Sequence, residues 1–119
     1  MSNLTHHELA QELIGACVVH EHEHEAVADI LFRVPDGVFH HHTHQVIWRV
    51  MREMALEDIP TERQLVRHRL DDQAAITELD QCWIHAGYTH YANHFAAELT
   101  RSFMLEQTFH NIPELPADA

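Results

Sequence analysis

Apolar residues recur along this chain at intervals of three and four, in segments separated by turn signals, and that period predicts amphipathic helices instead of strands. The first helix is expected to start at Thr5, where Thr5-x-x-Glu8 is a capping-box pattern, and to place Leu9, Leu13, Ile14, Cys17 and Val18 on one face. A second is marked by Val27, Ala28, Ile30, Leu31 and Phe32. The acids of Glu21-His22-Glu23-His24-Glu25 suit its N-terminus, and Pro35-Asp36-Gly37 stops it. From about His41 to Leu56 a third helix carries the stripe Val46, Ile47, Val50, Met51 and Met54. Pro60 and a second capping-box pattern, Thr61-x-x-Gln64, open a short fourth helix with Leu65, Val66 and Leu70 facing inward. The fifth, Ala74 to about Ala86, is expected to bury Ile76, Leu79, Cys82 and Trp83 and to end at Gly87; the sixth runs from about Thr89 to Phe109. The fold predicted is all-α, a single compact domain of about six helices over residues 1–110, with 111–119 as a short flexible tail interrupted by Pro113 and Pro116.

Length and composition narrow the function classes. A chain of 119 residues supports one core. All 7 basic residues are arginine, so a phosphate loop ending in Gly-Lys-Ser/Thr and a lysine nucleophile are both excluded. A formal charge of -12 repels nucleic-acid backbones and anionic lipid, and the N-terminus lacks a signal-peptide core; these features read as a cytoplasmic protein without direct nucleic-acid or membrane binding. Cys17 and Cys82 show no Cys-x-x-Cys spacing and are expected to be reduced core thiols, inert as nucleophiles. The 14 histidines, if protonated, would more than offset the negative charge, so net charge depends steeply on pH below neutrality.

Read in order, Glu12-Leu13-Ile14-Gly15-Ala16-Cys17, Ala28-Asp29-Ile30-Leu31, Val38-Phe39 and His44-x-x-Ile47-Trp48 resemble the N-terminal domain of DnaB-type replicative helicases. Ile59-Pro60-Thr61-x3-Leu65-x4-Leu70, Ile76-Thr77-Glu78-Leu79 and Asn93-x-Phe95-Ala96-x2-Leu99-x4-Met104-Leu105 continue the resemblance, which spans roughly residues 8 to 109. Each fragment alone fits any amphipathic helix, and the specificity lies in their order and spacing. The resemblance implies a small helical head leading into a two-helix hairpin, a role in assembling the helicase ring, and contacts with primase and loaders. It implies neither ATPase nor translocating loops. The sequence departs from the pattern by ending after what would be the first hairpin helix, without a motor domain.

The sixth helix carries Leu99, Phe103, Met104, Leu105 and Phe109, which form a candidate interface. Burying such a patch is favourable by about 25 cal/mol per Å², so a partner helix is attractive. For Leu99 and Phe103 the stronger alternative is packing on the domain's own core. Histidine pairs at i, i+4 spacing, His20/His24, His40/His44 and His90/His94, are candidates for a divalent transition metal. Against a metal stand the missing third ligand and the absence of His-Glu-x-x-His; His44 also reads as a packing or capping residue. The arginines Arg63, Arg67 and Arg69 with His68 make the one basic cluster, too small beside its acids for a nucleic-acid footprint.

The expectation is therefore a non-enzymatic interaction module of DNA replication that needs no cofactor. Its expected partner is a replicative helicase subunit, a primase or a loader. The alternatives are a structural homodimer and a histidine-rich metal-binding or pH-responsive protein.

Overall fold

The computed structural model describes residues 5–18, 24–84 and 91–111, with backbone alone at His24 and residues 108–111. Among the described residues six α-helices follow in order: α1 (His6–Ala16), α2 (His24–Arg33), α3 (His42–Leu56), α4 (Arg63–Arg69), α5 (Gln73–Ile84) and α6 (Ala92–Asn111); a 3-10 turn at Asp36–Val38 joins α2 to α3. No strand occurs among the described residues. Nor is any described helix long and apolar enough to cross a membrane.

Helix α1 lies at the centre, packed against α5 on one side and α6 on the other, while α3 bridges α2 and α5. Its start is the expected capping box. The Glu8 amide donates to Thr5 Oγ1 at 3.1 Å and the Thr5 amide to Glu8 Oε1 at 3.2 Å, satisfying two amides that helix geometry leaves without partners. The apolar face it presents, Leu9, Leu13, Ile14 and Cys17, is buried together with Leu31, Phe39, Ile47, Trp48, Met51, Leu79 and Leu99 in one continuous core.

The end of α2 is held from α3. Trp48 Nε1 donates to Val34 O at 2.7 Å, and Arg52 donates to Leu31 O and Val34 O at 3.1 and 2.9 Å, so the last carbonyls of α2 find donors as the chain turns at Pro35. Asp36 then pairs with Arg49 at 2.9 Å, fixing the turn against the α3 surface.

Three local expectations are corrected. Thr61 does not cap α4: it is fully buried and its hydroxyl donates to Cys17 O at 2.6 Å, tying the exit of α1 to the segment before α4, which starts at Arg63 behind Glu62 with no side-chain cap. Leu65 faces water, and α4 buries Val66 and Leu70 instead; with seven residues the helix has room for one inward stripe. Trp83 is 46% exposed instead of buried, with the Arg63 guanidinium over its ring at 4.2 Å in a cation–π contact. The expected cap at Gly87 and the start of the last helix at Thr89 fall outside the described residues, as do residues 112–119 of the tail.

Candidate functional site

Two features on the outside of this core involve the residues that carried the functional expectations: the outer side of α6, and a set of histidines where α1, α3, α5 and α6 meet.

On α6 the helical period separates the five apolar candidates. Leu99 has 0% exposure and belongs to the core, and Phe103, one turn later, is half-buried against it. Neither supplies open surface, since α1 already covers that side of the helix. Ser102 and Glu106 complete the inward face: Ser102 Oγ lies 3.0 Å from His6 Nδ1, and Glu106 Oε2 lies 2.6 Å from His40 Nε2. At about 100° per residue, Met104 and Leu105 fall on the far side, and they keep 58% and 53% of their surface in water. The side chain of Phe109 lies outside the described residues.

The histidine pairs expected from spacing come apart. His20 and His90 lie outside the described residues, as does the His24 side chain. His94 is exposed on α6, beside Phe95. His40 and His44 do not face one site, because α3 begins only at His42 and the chain is extended at His41 (φ -87°, ψ 130°), which removes the helical register between them. They enter two separate clusters instead.

In the first cluster, His6 and His40 stack with ring centroids 3.7 Å apart and planes 8° from parallel. His6 Nε2 donates to Val38 O at 2.8 Å and Nδ1 accepts from Ser102, a pattern that fits the neutral ring. Burial pushes the His6 pKa down from its ordinary value, against the opposing pull of the Val38 carbonyl. The cluster stitches α1, the 3-10 turn and α6 together.

In the second, His44 is 1% exposed, and its Nε2 lies 2.5 Å from Glu78 Oε2 on α5. Gln11 on α1 donates to the same oxygen at 3.0 Å. The His7 ring sits 5.1 Å from that of His44 and 4.6 Å, edge-on, from that of His41. Burial pushes the His44 imidazole below its ordinary pKa. Burial pushes the other way on Glu78, yet the hydrogen bonds from His44 and Gln11 prevail and hold its carboxyl below the usual range. Both shifts describe a neutral imidazole donating to an ionised carboxylate. Nδ1 of His44 is then an acceptor, and it is buried with no hydrogen-bond partner. A cleft of about 160 Å³, lined by His7, His41, Thr43, His44, Ala74 and Glu78, opens on the cluster.

Sequence reasoning missed His6, His7, Glu78 and Glu106. Their cluster contacts span 32 to 96 residues of chain, and no local period reports such pairings. Elsewhere the polar chemistry is structural. Arg67 pairs with Asp80 at 2.6 Å and Arg69 with Glu57 at 2.5 Å, which offsets two of the three arginines, while Arg63 stacks over Trp83. Cys17 and Cys82 are buried and burial raises both thiol pKa values, so both remain protonated.

A family model described as DnaB-like helicase N terminal domain matches residues 3–98. No curated protein and no solved structure matches the chain.

Proposed function

Because the chain belongs to the DnaB-like helicase N-terminal domain family, we propose that it is a non-catalytic interaction module of DNA replication that docks on a replicative helicase, or on its primase or loader, through the outer side of α6. The family is the non-catalytic part of the helicase. The observation that carries the reading is the pair Met104 and Leu105: two large apolar side chains held in water on a 20-residue helix whose opposite face is fixed to the core through Leu99, Phe103, Ser102 and Glu106. A rigid helix with adjacent exposed apolar side chains is a preformed surface for helix-on-helix packing, and docking on it needs little ordering of the backbone. The net charge of -12 favours a protein partner over DNA. In this reading the protein works in the cytoplasm and affects the helicase ring by recruitment or by competition for a subunit surface.

Sedimentation velocity tests it, with the purified chain alone and mixed with the replicative helicase of the organism that encodes it. A boundary in which the chain moves with the helicase is expected. A tight homodimer whose sedimentation is unchanged by helicase would replace this reading with that of a structural dimer.

A further inference from the structure

We propose that His7, His44 and Glu78 form a binding site for a divalent transition-metal ion of the zinc type, with the fourth coordination position open to the cleft beside them. One donor comes from each of α1, α3 and α5, and the ligand atoms of the three residues all lie within 4.8 Å of one another. Tetrahedral zinc holds imidazole nitrogen and carboxylate oxygen at about 2.0 to 2.2 Å, so its ligand atoms stand roughly 3.5 Å apart. Binding would open the His44–Glu78 contact from 2.5 Å and draw His7 in by roughly 1 Å to reach that separation, and His7, exposed near the start of α1, has the freedom to move.

His44 is almost wholly buried, and the nitrogen that faces Glu78 is Nε2, which would take the ion in place of its proton while Nδ1, on the other side of the ring, carries the ring proton. Around the three ligands the supporting contacts are already made. Gln11 holds the Glu78 carboxylate from the α1 side, the Cys82 thiol approaches the same oxygen at 3.9 Å, and His41 stands against His7 at the mouth of the cleft. Orientation of ligands by such outer partners is the feature that separates a metal site from a chance cluster. The donor set, two imidazoles and one carboxylate, suits zinc, cobalt or nickel over magnesium or calcium, which prefer all-oxygen sites. The site involves none of the α6 residues assigned to docking, so it stands or falls separately from the helicase reading.

The test is titration of the full chain, untagged and stripped with chelator, with zinc by calorimetry and with cobalt by visible absorption. One zinc per chain is expected, together with the visible bands of four-coordinate cobalt. His7→Ala removes an exposed ligand and leaves the core intact; it should weaken zinc binding by at least tenfold, the lower end of the 10–100-fold effects seen around metal sites, and abolish the cobalt bands. Glu78→Gln should do the same. His40→Ala, in the neighbouring cluster, should bind as the wild type does. Absence of saturable binding, equal binding by the His7→Ala and wild-type chains, or a loss in His40→Ala matching that in His7→Ala would each overturn the proposal.

Discussion

Replacing Leu99 and Leu105 by alanine, one at a time, separates the two faces of α6. The residues lie six positions apart on one helix, with 0% and 53% exposure, so the same chemical change meets opposite surroundings. At Leu99 the truncation opens a cavity in the continuous core, which cannot fully collapse around it. Leucine-to-alanine changes at such sites destabilise by about 2 to 5 kcal/mol, and the full burial of Leu99 places it near the middle of that range, about 3 kcal/mol. At Leu105 the removed methyl groups were already half in water, and the effect should stay within about 0.5 kcal/mol. The assay is urea unfolding followed by tryptophan fluorescence in the presence of chelator, with the denaturant slope unchanged so that midpoints report stability. Loss of less than about 1 kcal/mol at Leu99, or of more than about 1 kcal/mol at Leu105, would refute the assignment of faces. The folded fraction of Leu99→Ala should still bind the partner that wild type binds, because that residue contributes nothing to the outer surface.

Three further outcomes follow from the packing and the polar contacts. Thr61→Val keeps the shape but leaves Cys17 O without its donor, and should lower the urea-derived stability by about 1 to 3 kcal/mol; an unchanged midpoint would show that the bond carries no weight. In metal-free protein the imidazole resonances of His6 and His44 should titrate below the ordinary value of 6.5, since burial disfavours their charged forms. The unfolded chain then takes up protons first as pH falls below 6.5, so these groups withdraw stability on acidification, and Glu78, whose pKa is held below 4.5, continues the loss at lower pH. Titration of His44 at or above 6.5 would contradict the neutral imidazole assigned to it. Cys17 and Cys82 should react with an aromatic disulfide only after unfolding by urea, with both thiols released at once; rapid modification of either in native protein would be inconsistent with their burial.

Legibility in the sequence tracked the range of the interaction. The Thr5 capping box, the stop at Pro35 and the stripe of α3 were all readable, because each is decided within a turn or two of chain. Thr61 shows the limit. Its pattern with Gln64 is a valid cap, and a carbonyl 44 residues away captured the hydroxyl instead. The same holds for Trp83, where periodicity places an aromatic ring inward and the ring instead lies partly exposed beneath a guanidinium from α4. Helical spacing joined His40 to His44, yet one residue of extended chain at His41 sends the first to Glu106 and the second to Glu78. Both clusters pair α1 histidines with residues far along the chain. The adjacency of His6 and His7 was visible; their separate destinations were not.

Docking through the outer side of α6 is tested most directly by the affinity of the chain for the replicative helicase, measured by interferometry for wild type, for Met104→Glu/Leu105→Glu and for Ile84→Glu, which places the same charge at an exposed apolar position on α5. The account predicts that the double variant folds as wild type does and binds at least tenfold more weakly, a difference of about 1.4 kcal/mol or more, while Ile84→Glu binds normally. Wild-type affinity in the double variant, or a helicase that binds none of the three, would contradict it.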